Sequence, residues 1–115
     1  MKILFILGTC LFLTLSYSQN VWIKKDSVNG PPRGACASFA LNGEAFVVGG
    51  VNVEEFKRKM YSYDLEQNDW DDETPLGGVT GSGLERASAV AFSAAGYGFV
   101  ALGSGPAAKM KDLWR

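Results

Sequence analysis

The feature that most constrains the fold is an internal repeat with an offset of 53 residues. Aligning the chain with itself at this offset brings identical or similar residues together, without a gap, in eight pairs: Arg33 with Arg86, Phe39 with Phe92, Gly43 with Gly96, Phe46 with Phe99, Val47 with Val100, Gly50 with Gly103, Met60 with Leu113 and Tyr61 with Trp114. Repeats of this kind are typical of architectures in which each unit buries its core against its neighbours. The chain is therefore predicted to be an array of similar units.

Each unit has the sequence pattern of a β-sheet. In the first unit, two short apolar runs, residues 35–40 and 45–48, flank Asn42-Gly43, and Asn-Gly between apolar runs is a strong hairpin signal. A double glycine follows, and a charged loop then leads to two further strands, residues 60–64 and a strand containing Trp70. The predicted class is all-β, with units of four antiparallel strands.

The composition agrees with many short strands and argues against nucleic acid as a partner. The chain has 115 residues, of which 14 are Gly, and 47% are hydrophobic, which suits at most one small globular domain rich in turns. Its formal net charge is -1. A chain without a basic field cannot neutralise a phosphate backbone, so nucleic-acid binding is not expected.

The N-terminal residues 1–18 resemble a secretory signal peptide. Lys2 provides a positive end, residues 3–15 are largely apolar, and small residues precede a cleavage site before Gln19. An uncleaved membrane anchor is the alternative, but the run is shorter than the roughly 20 apolar residues that a span needs. Cys10 is a weak indication of a bacterial lipoprotein signal. The protein is thus predicted to be secreted or otherwise extracytoplasmic, in the periplasm, outside the cell or at its surface.

The first unit resembles a kelch motif. The double glycine, the sequence Tyr61-Ser62-Tyr63-Asp64 and the later Trp70 stand at the spacings of that motif, and a second motif follows with Leu102-Gly103 in place of the double glycine. The resemblance implies a β-propeller, whose blades are sheets of four antiparallel strands. It also implies an architectural role for six residues: Gly49, Gly50, Tyr61, Trp70, Gly103 and Trp114.

The resemblance also divides the chain into segments. After the signal peptide, residues 19–32 form an N-terminal strand and loop, residues 33–85 the first kelch repeat with its linker, and residues 86–115 a truncated second repeat. A propeller ring usually has about four to eight blades, whereas this chain supplies roughly one and a half. We expect the remaining blades to come from a longer chain or an oligomer, and residues 21–23 to form the outermost strand of the last blade, closing the ring.

Strand direction predicts which loops lie together. Because antiparallel strands alternate in direction, the loop between the second and third strands shares a face with the linker to the next blade, and the hairpins lie on the opposite face. The first face is expected to include residues 26–32, 51–58, 74–85 and 104–108. The second face is expected to include residues 41–43, 65–69 and 94–96. Binding residues usually lie on loops of a rigid scaffold, and the first face has the longer loops.

Four residues of the first face are candidate ligand contacts: Arg33, Arg86, Asn52 and Phe56. In the kelch propellers that this chain resembles, Arg near the start of the inner strand often meets acidic ligands, and its planar donors suit a carboxylate. The alternative is that each Arg braces the neighbouring blade by bonding to carbonyls or an acid. Asn52 and Phe56 lie in a charged loop, which is either a recognition loop or a solvated loop whose Phe covers the blade edge.

No cofactor or metal site is predicted from these residues. The acids around Trp70 lack the alternation of a calcium loop, and residues 77–83 lack the Gly-Lys-Ser/Thr of a phosphate loop. Cys36 has no His anywhere in the chain to activate it as a nucleophile. Propeller enzymes of the galactose-oxidase type hold copper with Tyr and His, so this chain cannot complete such a site by itself.

The predicted function is binding. The chain is interpreted as a segment of a secreted kelch propeller that presents loops to a protein or carbohydrate ligand, and no catalytic residue is assigned to it. The alternative is a fragment of a propeller enzyme that acts on sugars, similar to galactose oxidase or to sialic-acid isomerases, with its catalytic residues outside this chain. Downstream His and Tyr ligands, or an acid/base cluster on the face of Arg33, would favour the enzyme.

Overall fold

The computed structural model describes residues 21–115 and contains two antiparallel sheets. Blade 1 has the strand order β1-β2-β3-β4, with β1 at Ala37–Leu41, β2 at Glu44–Val48, β3 at Met60–Asp64 and β4 at Asp69–Glu73. Blade 2 has the order β5-β6-β7, with β5 at Val90–Ala94, β6 at Tyr97–Ala101 and β7 at Leu113–Trp114. The predicted all-β class and the four-stranded antiparallel blade are confirmed, and the two blades do not form a closed ring. The predicted signal peptide, residues 1–18, lies outside the described residues.

Turn chemistry explains where the strands reverse. Asn42 and Gly43 both have positive φ, 53° and 85°, as a two-residue hairpin turn requires. The same turn recurs at Ala95 and Gly96, with φ of 50° and 79°. Ala95 has no side-chain oxygen with which to stabilise this left-handed conformation. The second repeat therefore keeps the turn with a residue that is less suited to it than Asn42.

The core of the molecule lies between the two blades. Ala37 and Val48 of blade 1 and Val100 of blade 2 are buried together. Five partly buried apolar residues pack around them: Phe39, Met60, Leu76, Ala89 and Ala91. A Cβ at Gly98 would overlap the Phe39 ring, so this glycine lets the ring lie against β6. Each blade thus completes its core against the other, as the repeat predicted.

Backbone hydrogen bonds join the blades at the double glycine. The Gly50 amide donates to the Arg86 carbonyl at 2.8 Å, and the Arg86 amide donates to the Lys57 carbonyl at 3.0 Å. Gly49 has φ of 70°, and a Cβ there would stand 2.7 Å from the same Arg86 carbonyl oxygen. A larger residue at Gly49 would therefore force the two backbones apart.

The N-terminal segment follows the outer strand of blade 1. The Asp26 amide donates to Asn68 Oδ1 at 3.2 Å, and Trp70 Nε1 donates to the Asp26 carbonyl at 3.0 Å. Asn68 belongs to a hairpin of the second face, so residues 26–32 run from the second face to the first. The expectation that they lie wholly on the first face is wrong. Residues 21–23 are exposed and make no strand pairing within the described part of the chain, and their ring-closing role stays a prediction.

Residues 21–115 contain no helix at all, and hence none that is long and apolar enough to cross a membrane.

Candidate interaction face

Three loops lie together at the first face of the two blades. They connect β2 to β3 (residues 49–59), blade 1 to blade 2 (residues 74–89) and β6 to β7 (residues 102–112). Because the strands of each sheet are antiparallel neighbours in chain order, these connections all leave the same end of the sheets, opposite the tight hairpins. The first face therefore carries the long loops that connect the described strands.

The β2–β3 loop is held by its own hydrogen bonds and displays Val53. Val51 forms isolated bridges with both Gly34 and Phe56. Asn52 Oδ1 accepts hydrogen bonds from the amides of Glu54 and Glu55, at 3.0 and 2.9 Å. These contacts form a tight turn that leaves the Val53 side chain fully exposed, at 103%.

Asn52 and Phe56 therefore lie where the sequence analysis placed them, but in supporting positions. The Asn52 side chain shapes the turn, and Phe56 is half-buried beside the bridge to Val51. Their assignment as ligand contacts stays a prediction. Val53, which the sequence analysis did not single out, is the large apolar residue of this loop that is exposed to solvent.

Arg58 fixes the linker between the blades. Its Nη1 donates to the carbonyls of Leu76 and Gly78, at 3.1 and 2.7 Å, and its Nη2 donates to the Val79 carbonyl at 3.1 Å. The glycine-rich loop thus turns carbonyl oxygens toward a cation, whereas a phosphate loop turns amides toward an anion. Val79 is held 80% exposed on this loop, on the same face as Val53.

The two candidate arginines have different surroundings, and Arg86 is fully satisfied within blade 2. Its side chain is only 1% exposed. Nη1 and Nη2 donate to the two carboxylate oxygens of Asp112, at 2.6 and 2.8 Å, and further bonds reach the carbonyls of Leu102 and Leu84. Asp112 also accepts a hydrogen bond from Trp114 Nε1 at 2.7 Å. These hydrogen bonds support a structural, bracing role for Arg86. The bonded acid and carbonyls belong to blade 2 or to the linker before it, whereas the prediction was that Arg86 braces the neighbouring blade.

The hydrogen bonds of Arg86 dominate the electrostatics of Asp112. Together with the Trp114 bond and the positive charge of Arg86, they hold the pKa of the Asp112 carboxyl far below its ordinary value, against the opposing effect of desolvation. The acid is therefore ionised at all pH values near neutrality.

Arg33 is half-buried and makes no ion pair within residues 21–115. Its Nη2 donates to the Tyr61 hydroxyl at 3.2 Å, and its guanidinium carbon lies 5.1 Å from the centre of the Tyr61 ring. Its Nε makes a long bond to the Pro31 carbonyl at 3.4 Å, whereas the buried Nη1 has no hydrogen-bond partner.

Cys36 and the acids of β4 show no catalytic or metal-binding arrangement. Burial raises the pKa of the Cys36 thiol despite the nearby positive charge of Arg33. Glu73 accepts a hydrogen bond from the buried Ser62 hydroxyl at 2.8 Å, and Asp72 pairs with Lys59 at 3.2 Å. Within the described residues, no group of three or more His, Cys, Asp or Glu side chains could hold a metal ion.

Comparison with known proteins agrees with this geometry. Residues 32–77 match the family model described as the Kelch motif. They include four of the predicted architectural residues: Gly49, Gly50, Tyr61 and Trp70. Residues 32–77 therefore carry a kelch motif.

A solved structure shows the same fold. The chain is similar to the protein YjhT, with a TM-score of 0.62 and 22% sequence identity over 74% of this chain. It spans 25% of the length of the YjhT chain. No curated protein matches the sequence.

Proposed function

We propose that this kelch-repeat module binds a partner protein through the loops of its first face. The observation that carries the proposal is the display of two aliphatic side chains, Val53 and Val79, on loops that internal hydrogen bonds hold in place. A rigid loop loses little conformational entropy on binding, and an exposed aliphatic side chain gains stability when a partner covers it. A protein surface with apolar pockets suits these side chains better than a carbohydrate does.

The experiment compares the two faces of the molecule. The full chain and the double variant Val53→Asp/Val79→Asp are immobilised and exposed to extracellular protein from the source organism. The variant Leu65→Asp is the matched control, because Leu65 is also an exposed aliphatic residue but lies in a hairpin of the second face. Retained proteins are quantified by mass spectrometry.

We expect the double variant to retain a specific partner at least about tenfold less, equivalent to about 1.4 kcal/mol of binding energy. Leu65→Asp should behave as the unmodified chain. Equal retention by all three proteins would contradict the proposal. A partner that is lost after enzymatic deglycosylation of the extract would show that the ligand is a glycan.

The proposal includes secretion, which depends on the signal-like sequence of residues 1–18. Expression with the native N-terminus should yield protein that begins at Gln19, as determined by mass spectrometry of the intact chain. Protein that keeps residues 1–18 and stays in the cytoplasm would contradict it. The alternative of a sugar-acting enzyme stays a prediction, because it needs His, Tyr or acid/base residues from outside this chain.

A further inference from the structure

The N-terminal part of the described chain changes character between Lys25 and Asp26. Residues 21–25 are exposed and belong to no strand, and the Trp22 side chain is completely exposed, at 101%. Among the hydrogen bonds and ion pairs formed within residues 21–115, none involves residues 21–25. This segment therefore has no polar contact that holds it on blade 1.

The anchored chain begins at Asp26. Its amide donates to Asn68 Oδ1 at 3.2 Å, and its carbonyl accepts a hydrogen bond from Trp70 Nε1 at 3.0 Å. Three residues later, Asn29 Nδ2 donates to the Trp70 carbonyl at 2.8 Å. Residues 26–29 thus form a strap that is fixed to the outer side of blade 1. The boundary between the free and the anchored chain coincides with the end of the basic pair Lys24-Lys25.

The longer basic sequence of the chain, residues 57–59, is protected by the interface between the blades. The carbonyls of its three residues accept hydrogen bonds from the amides of Arg86, Leu76 and Gly49, at 3.0, 3.1 and 3.0 Å respectively. A protease cuts a segment that is free of such contacts, at exposed termini or loop tips, or after local unfolding. Residues 57–59 would have to leave the blade interface before they could be cut.

The lysines of the β6–β7 loop are exposed but lie in a segment that backbone contacts hold. Lys109 forms an isolated bridge with Ser104, and the Met110 amide donates to the Gly103 carbonyl at 2.8 Å. These contacts lie between Lys109 and Lys111, so neither lysine is in a free segment. The pair Lys24-Lys25 therefore combines exposure with freedom from backbone hydrogen bonds.

We propose that the Lys25–Asp26 peptide bond is a processing site for an extracellular endoprotease specific for basic residues. Such a protease binds the lysine side chain through an acid in its specificity pocket. Water adds to the Lys25 carbonyl carbon and the bond to the Asp26 nitrogen breaks, which leaves a carboxylate on Lys25 and an ammonium on Asp26. The new ammonium lies beside Asn68 Oδ1, to which the Asp26 amide already donates.

Processing removes the exposed apolar residues 21–23 and leaves the strap in place. These residues cannot both be removed and form the outermost strand of the last blade, so processing is an alternative to that prediction. The proposal shares the secretion step with the proposed function, but it uses neither Val53 nor Val79.

The first test is limited proteolysis of the purified full chain with trypsin, followed by mass spectrometry of the intact products. We expect the first stable product to begin at Asp26, either directly or after a cut at Lys24. Residues 26–115 should then persist at least about tenfold longer than the uncut chain. A first cut after Lys57, Lys109 or Lys111, with Lys24-Lys25 intact, would overturn the proposal.

Variants and a stability measurement make this test specific. Lys24→Gln/Lys25→Gln should abolish the first cut, whereas the matched control Lys109→Gln/Lys111→Gln should be cut as fast as the unmodified chain. Chemical denaturation of the cut and uncut chains should give the same midpoint, because the strap keeps its hydrogen bonds. A cut chain that unfolds at a lower denaturant concentration would show that residues 21–25 belong to the fold and would overturn the proposal.

The second test determines the N-terminus of the protein that the source organism secretes. We expect it to begin at Asp26, and that of the Lys24→Gln/Lys25→Gln variant to begin at Gln19. Unmodified protein that begins at Gln19 would overturn processing and leave secretion intact. Protein that keeps residues 1–18 would contradict secretion, and processing outside the cell with it.

Discussion

At the scale of single residues, the Arg86–Asp112 pair joins a buried guanidinium to a carboxylate through two hydrogen bonds, at 2.6 and 2.8 Å. Removing one partner of a buried pair leaves the other without compensation, which costs more than the pair contributes by its presence. Asp112→Asn keeps an acceptor oxygen but removes the negative charge that compensates the buried Arg86 guanidinium. We expect it to lower the free energy of unfolding by about 2 kcal/mol at neutral pH.

The effect of this substitution should depend on pH. The pKa of Asp112 is lower in the folded protein than its ordinary value of 3.8, so its stabilising effect is present above about pH 4 and is lost as the pH falls further. Chemical denaturation at pH 7 and pH 3 should therefore show a larger difference between the unmodified chain and Asp112→Asn at pH 7. If the two proteins differ in stability by the same amount at pH 7 and pH 3, the ionised Asp112 does not stabilise the fold through Arg86.

Gly49 shows how a single missing Cβ positions two blades. Gly49→Ala should lower the free energy of unfolding by roughly 2 kcal/mol or more, because it combines a positive φ with a clash against the Arg86 carbonyl. Gly34→Ala is the matched control, since a Cβ there meets nothing within 4 Å and Gly34 has no positive φ. Denaturation that gives the same loss for both variants would show that the double glycine does not position the blade interface.

At the scale of elements, the linker between the blades depends on Arg58. Arg58→Met should leave the strands intact but remove three hydrogen bonds to the carbonyls of Leu76, Gly78 and Val79. Hydrogen exchange measured by mass spectrometry should become faster in peptides that cover residues 76–83. Lys59→Met is the control, because the Lys59 side chain has its hydrogen bond with the exposed Asp72 and not with the linker. Unchanged exchange in Arg58→Met would show that other contacts hold this loop.

The strands and hairpins could be predicted from the sequence, whereas the conformations of the loops could not. Alternating apolar runs and Asn42-Gly43 are local signals, and the repeat transferred them to the less typical Ala95-Gly96. The bonds of Arg58 depend on residues about 20 positions away, so no local sequence pattern predicts them. Phe56 could be proposed from the sequence because aromatic residues are common in binding loops. The exposure of Val53 could not be predicted, because it follows from the turn that the Asn52 side chain stabilises.

At the scale of the whole molecule, the repeat explains why one side of blade 2 is apolar and open. Phe39 of blade 1 lies against Gly98, whereas its equivalent Phe92, stacked on Phe99, is 44% exposed. Val90 and Leu113 on blade 2 are exposed as well. Since blade 1 buries the same face against blade 2, this face has the properties of a surface that packs against a further blade.

The arrangement of two consecutive kelch blades is tested most directly by amide hydrogen exchange at the hydrogen bonds that cross between them. The Gly50 amide donates to the Arg86 carbonyl, and the Ser88 amide donates to the Ala35 carbonyl, both at 2.8 Å. Exchange measured by NMR on the full chain should be slowed at Gly50 and Ser88 to the extent seen within the β2–β3 pair. Rapid exchange at both amides, with β2 and β3 still protected, would show that the blades do not pack as described.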